Sequence, residues 1–109
     1  METIVITGAG SGIGFSLAQK LLSENYRVAA WDIEPGKLAS IKDENLTFNK
    51  VDVRDASAMI AATEEAASLS QGITGLATCA AIYRTAPFLD LSEADWDDHL
   101  NINLKGTML

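Results

Sequence analysis

The chain has 109 residues, a formal net charge of −7, 48% hydrophobic and 21% charged residues. That size suits one domain, and the balance is that of a globular protein rather than a disordered or fibrous one. Fifteen acidic against eight basic residues argue against a nucleic-acid or anionic-membrane surface, which needs clustered Lys and Arg. No uncharged apolar run approaches the ~18 residues that span a bilayer. Cys79 is the single cysteine, so no internal disulfide is available. The N-terminus passes from Met1-Glu2-Thr3 into an apolar run without a basic segment, and the expected location is the cytosol. Asn45-Leu46-Thr47 has the form of a glycosylation sequon and is read as chance in that setting.

Residues 3–6 (TIVI) are β-branched and continuously apolar, the pattern of a strand buried on both faces of a parallel sheet. A glycine-rich turn, residues 8–14, follows. Ile13, Leu17 and Leu21 then recur at helical spacing, with Ala18 and Leu22 beside them. Asn25 ends that helix, and residues 26–31 (YRVAAW) read as the second strand. Pro35 suits the first turn of a short helix over residues 36–43. Residues 46–53 form a third strand. Asp55 caps a third helix with Met59, Ala62, Ala66 and Leu69 on one face, ended by Gly72. Residues 73–82 are the fourth strand, followed by a loop with Pro87. Ser92 with Asp95 resembles a capping box and opens a last helix with Trp96, Leu100 and Leu104 on one face.

This β-α-β-α-β-α-β-α order predicts a doubly wound α/β fold, with a parallel sheet, right-handed crossovers and about four strands. The last helix reaches Leu109 without a stop signal, and the apolar fourth strand reads as central. Residues 1–109 are therefore expected to be the N-terminal part of a longer fold, and the outer edge of the fourth strand an association liability.

Gly8-Ala9-Gly10-Ser11-Gly12-Ile13-Gly14, set between a strand and a helix, has the context of a dinucleotide-binding turn. Glycines let the main chain approach a pyrophosphate, and the helix N-terminus presents N–H groups and partial positive charge to it. Ser11 adds a hydroxyl. The alternative is a turn that only tightens the connection. No Gly-Lys-Ser/Thr ending follows, which removes the P-loop reading. Asp32 ends the second strand eighteen residues after Gly14, where a carboxylate accepts from ribose hydroxyls and repels a 2′-phosphate, favouring NAD over NADP. Its other reading is a cap for the helix after Pro35.

Cys79 lies in the apolar strand with no cation nearby and reads as an inert thiol. His99 stands among Asp95, Asp97 and Asp98 and reads as part of a solvated face. No cluster has metal-ligand spacing, so no metal site is expected.

Thr7-Gly8-x-x-x-Gly12-x-Gly14 resembles the fingerprint of the short-chain dehydrogenase/reductase family. Asp52-Val53 is similar to the family's Asp-Val pair at the adenine ring, although a simple turn explains Asp52 almost as well. Leu91-Ser92-Glu93-Ala94-Asp95-Trp96 and Asn101-Ile102-Asn103-Leu104-Lys105-Gly106 resemble its next two segments, with Asn103 on the catalytic asparagine. Thr78-Cys79-Ala80-Ala81 stands where the family has Asn-Asn-Ala-Gly; Ala80 alone matches, and Thr78 keeps a hydroxyl.

The resemblance implies a Rossmann-like, NAD(P)-dependent oxidoreductase moving a hydride between nicotinamide and a carbonyl or alcohol. It implies cofactor contacts at Gly8, Ser11, Gly12, Ile13, Gly14, Asp32, Asp52, Val53 and Ala80, and a homo-oligomer at full length. Asn103 would kink its helix and hold a proton-relay water; a helix–sheet hydrogen bond is the plainer account of an amide on that face. The family's Tyr-x-x-x-Lys has no match: Tyr26 precedes Ala30, and Tyr83 precedes Pro87, at that spacing. The acid–base half is expected beyond Leu109, which would leave this chain inactive alone. The rival readings are a non-catalytic dinucleotide-binding module and a structural or interaction fragment.

Overall fold

The computed structural model describes residues 1–69 and 71–109. The elements are β1 (Thr3–Thr7), α1 (Gly12–Ser23), β2 (Arg27–Asp32), a 3-10 turn (Gly36–Ser40), β3 (Leu46–Lys50), α2 (Ala56–Ala67), β4 (Ile73–Thr78), a 3-10 turn (Phe88–Asp90), α3 (Glu93–His99), a π-helical stretch (Leu100–Lys105) and α4 (Gly106–Met108). The four strands form one parallel sheet in the order β3-β2-β1-β4.

Alternation along the central strands sends side chains to two cores, one on each face. Val5, Ala29, Trp31 and Val51 pack with Ala62 and Ala66 of α2. Ile6, Val28 and Ala30 pack with Ala18 of α1, and Leu38 of the first 3-10 turn joins them. A helix on each side of one parallel sheet is the doubly wound α/β arrangement that the alternation of elements predicts.

Local boundaries differ from the sequence reading. The segment after Pro35 is a 3-10 turn that stops at Ser40, not a helix to Asp43. β3 ends at Lys50 and β4 at Thr78, so Val51 to Val53 and Cys79 to Ile82 are loops at the strands' carboxyl ends. α2 ends at Ala67, leaving Leu69 in the following turn. The packed face of α1 is Gly14 and Ala18, whereas Ile13 is 81% exposed. An added Cβ on Gly14 would run into the carbonyl of Gly8, so glycine there lets helix and strand meet. The helix-capping expectation for Asp55 holds: its carboxylate accepts from the Ala58 N–H at 3.1 Å. Ser92 caps α3 by accepting from the Asp95 N–H at 3.0 Å. Asn25 takes φ +66° after α1, a left-handed conformation that asparagine tolerates.

Candidate functional site

Strand ends and helix starts converge at the carboxyl edge of the sheet. β1 feeds α1 on one face, while β4 leaves toward the other, opening a crevice at this switch point. The crevice holds about 340 Å³ and is lined by Gly8, Ser11, Gly12, Ile13, Gly14, Asp32, Ile33, residues 51–54, residues 79–82 and Ile102. All nine residues assigned to the cofactor from the sequence are in that lining: Gly8, Ser11, Gly12, Ile13, Gly14, Asp32, Asp52, Val53 and Ala80.

The glycine turn is held in place from behind. Asp32 Oδ2 accepts from the Gly10 N–H at 2.9 Å, and Oδ1 from the Ile33 N–H at 2.7 Å. The Gly10 carbonyl accepts from the Lys37 N–H at 2.9 Å. Asp32 is thus no cap for the segment after Pro35; that segment carries no side-chain cap. Gly8 has φ +68°, and a Cβ there would stand 2.6 Å from the Ala80 nitrogen. Gly12 has φ +56° with open space around a built Cβ. The first helical bond of α1 runs from Phe15 N–H to Ser11, which leaves the preceding N–H groups without intrahelical acceptors. Ser11 makes no side-chain capping bond, and no acidic residue occupies the first turn of α1. This cradle of free N–H donors, with space above Gly12, fits a pyrophosphate.

Thr7 is buried at the end of β1, and its hydroxyl accepts from the Cys79 and Ala80 N–H groups, each at 3.2 Å. It clamps the segment that replaces Asn-Asn-Ala-Gly. Cys79 is half-buried in the crevice lining. Thr78 lies elsewhere, in a smaller cavity with Trp31 and Thr63, so its hydroxyl does not substitute at the crevice.

Asp52 accepts from Arg54 through four contacts: from the backbone N–H at 2.9 Å, from Nε at 3.0 Å on Oδ1 and 3.2 Å on Oδ2, and from Nη2 at 2.7 Å. These bonds hold its carboxyl below the usual carboxylate range, and the guanidinium is correspondingly raised. Arg54 Nη1 also reaches Asp98 of α3 at 3.3 Å. Arg84 Nη1 bonds Asp98 at 3.0 Å and Asp95 at 3.2 Å.

Asn103 is outside the crevice lining. Its Oδ1 accepts from the Ile82 N–H at 2.8 Å and its Nδ2 donates to the Ile82 carbonyl at 2.9 Å. The amide therefore ties the π-helical stretch to the chain leaving β4, not to a strand. Asn103 lies within that stretch, and π segments recur at functional sites. His99 is not part of a freely solvated face. Its Nε2 accepts from the Arg84 N–H at 3.1 Å, and Nδ1 lies 2.6 Å from the Asp95 carbonyl. The two contacts together assign the proton to Nδ1.

Thr7, Arg54, Arg84 and His99 were assigned no site role from the sequence. Thr7 stood inside the fingerprint, and Arg54 beside Asp52, but no local pattern joins Arg54 to Asp98 across 44 positions.

The sequence pattern of the short chain dehydrogenase family matches residues 2–109. D-threitol dehydrogenase of Mycolicibacterium smegmatis is 35% identical over 115 residues, which cover 99% of this chain and 44% of that enzyme. A short chain dehydrogenase from Leptospira borgpetersenii, solved with bound NAD+, superposes with TM-score 0.87 at 23% identity, over 98% of this chain and 42% of its own. An ElxO variant solved with NADPH superposes with TM-score 0.86 at 23% identity, over 98% of this chain and 46% of its own. The chain spans less than half the length of the curated relatives it matches.

Proposed function

The chain belongs to the short-chain dehydrogenase family, and from that premise we propose that it is the N-terminal, cofactor-binding part of an NAD(P)-dependent oxidoreductase acting on a small carbonyl or alcohol. The observation that carries this reading is the convergence of the glycine turn, Asp32, Asp52-Val53 and Ala80 on one crevice at the start of α1. Related folds solved with NAD+ and with NADPH support a nicotinamide dinucleotide as the ligand.

When bound, the nicotinamide ring supplies or accepts the hydride. The residues of this chain bind and orient. The N–H groups opening α1 receive the pyrophosphate, and the Ser11 hydroxyl adds a donor. Asp32 keeps acceptor capacity on both oxygens for ribose hydroxyls, and its charge opposes a 2′-phosphate, so NAD is the preferred form. Asp52 and Val53 face the adenine. Ala80 and Cys79, clamped by Thr7, shape the wall on the nicotinamide side. Asn103 braces the chain after β4 through Ile82. The proton-transferring Tyr and Lys belong to the remainder of the enzyme, which also completes the substrate pocket and the homo-oligomer.

Fluorescence titration of the intact protein with NADH and NADPH tests the reading. NADH is expected to bind more tightly. Binding of neither would overturn the cofactor assignment, and equal affinity would overturn the role of Asp32.

A further inference from the structure

The chain leaving β4 is held at three successive places. Cys79 and Ala80 are held by the Thr7 hydroxyl, Ile82 by the Asn103 amide, and Arg84 by His99. Residues 79–82 of this chain line the crevice. A hydroxyl and an amide do not titrate near neutral pH. The third hold does: the Arg84 N–H donates to Nε2 of His99 at 3.1 Å, and histidine is the side chain whose charge changes between about pH 5 and 8. Nδ1 faces the Asp95 carbonyl at 2.6 Å, so the neutral ring keeps its proton there and offers Nε2 as the acceptor. The next proton can go only to Nε2. It sets donor against donor and leaves the Arg84 N–H without its partner.

The charges around the ring are Asp95 and Asp98 on its own helix and Arg84 on the facing chain, with Arg54 behind Asp98. The two carboxylates already bind the Arg84 guanidinium, at 3.2 and 3.0 Å, so little of their charge is left for an imidazolium. These bonds hold the guanidinium above its ordinary value, and it remains a cation that opposes a second one beside it. We propose that His99 is a pH-sensitive latch on the nicotinamide-side wall of the crevice: its neutral ring holds Arg84, and protonation at Nε2 frees the chain after β4, so that dinucleotide affinity falls in mildly acidic solution. The inference rests on the reading that Ala80 and Cys79 shape that wall. His99 is a positioning residue, acting on the crevice through Arg84 and Ile82.

The test takes two readouts on the intact protein, on His99→Gln and on His99→Leu, at about pH 7.5 and about pH 5.5. One is exchange of the Arg84 amide by NMR without cofactor, corrected for the intrinsic effect of pH on exchange. The other is NADH affinity by fluorescence titration. In the parent, protection of the Arg84 amide should fall about tenfold at the lower pH, the scale of one lost hydrogen bond, and NADH affinity about threefold. Glutamine puts an acceptor that does not titrate in place of Nε2, so both ratios between the two pH values should approach one. Leucine removes the acceptor, so Arg84 should be poorly protected at both pH values and the NADH ratio again near one. Protection that is independent of pH in the parent would overturn the proposal. So would a fall in NADH affinity that persists in either variant, or loss of Arg84 protection with no fall in affinity. Binding of NADH at neither pH would overturn the nicotinamide reading itself, while the exchange readout, which needs no cofactor, still decides the latch.

Discussion

At Asp32 one carboxylate serves two ends. Its oxygens hold the Gly10 and Ile33 N–H groups, and the same group is the proposed ribose acceptor. Removing it is therefore expected to do more than relax cofactor choice. In Asp32→Ala the NADH-over-NADPH preference should narrow by about tenfold, because NADH loses its ribose acceptor while NADPH is relieved of the carboxylate's repulsion; the turn's lost support at Gly10 weakens both cofactors alike. Paired titrations of the two cofactors check this; an unchanged preference would show that Asp32 serves only to support the turn. Asp52 carries a second expectation at this scale. Its carboxyl is lowered from the ordinary value of 3.8, chiefly by the side-chain hydrogen bonds of Arg54. A lowered folded-state value means that the pair contributes stability above the unfolded value, and that this is lost as pH falls through the folded one. Because both partners are more than a third exposed, the contribution is small. The melting-temperature gap between the parent and Arg54→Met should close on going from about neutral pH to about pH 2, and a constant gap would locate the effect of Arg54 in packing instead.

Elements here are short, and their ends depend on particular side chains. α2 has no basic residue in its last turn and no acidic residue in its first, so Asp55 is its main electrostatic anchor at the N-terminus. Asp55→Ala should cost about 1 kcal/mol, read as a lower midpoint in urea unfolding with an unchanged slope. Asp55→Asn should recover most of it, since asparagine caps nearly as well. At the other end of the chain, Gly106 is buried against Val53, and an added Cβ would lie 2.6 Å from Val53 Cγ2. This contact, with the Arg54–Asp98 pair, docks the last helical segment on the loop that lines the crevice. The change from α3 to the π-helical stretch falls between the Arg54–Asp98 pair and the Ile82–Asn103 pair.

For the molecule as a whole, the sheet is protected unevenly. β1 and β2 are paired on both sides, while β4 pairs only with β1 among the described strands. Leu76 of β4 is 63% exposed, and Leu104 and Met108 are exposed near the C-terminal end. An apolar strand with a free edge is a template for association. The 109-residue chain in isolation should self-associate in a concentration-dependent way, measured by light scattering, and Leu76→Lys should reduce that association without unfolding the chain. Unchanged association in this variant would place the contact elsewhere, such as at the exposed Phe88 and Leu89. None of the helices among the described residues is long and apolar enough to cross a membrane.

The sequence by itself determined the alternation of strands and helices, the glycine turn between β1 and α1, and Asp32 at the end of β2. These signals are local: a change of hydrophobic period, residues that tolerate positive φ, and a carboxylate at a strand's end. The caps at Asp55 and Ser92 were legible for the same reason, since the capping side chain and the N–H that donates to it lie three residues apart. The tertiary structure decided what depends on meeting across the chain. Ile13 follows the helical spacing of Leu17 and Leu21, yet close approach of α1 to Gly8 turns Gly14 and Ala18 inward and leaves Ile13 in the crevice. β3 and β4 stop before their apolar runs do, because pairing requires a neighbour in register and the runs continue into loops that line the site. His99 had only acidic neighbours in sequence, but the fold brings the Arg84 N–H to its ring. Arg54 meets Asp98 only because the packing of α3 brings that carboxylate to Nη1. Periodicity reports which face of an element is apolar; it carries no information about which distant polar group will complete a hydrogen bond, and that pairing is set by the packing of helices on the sheet.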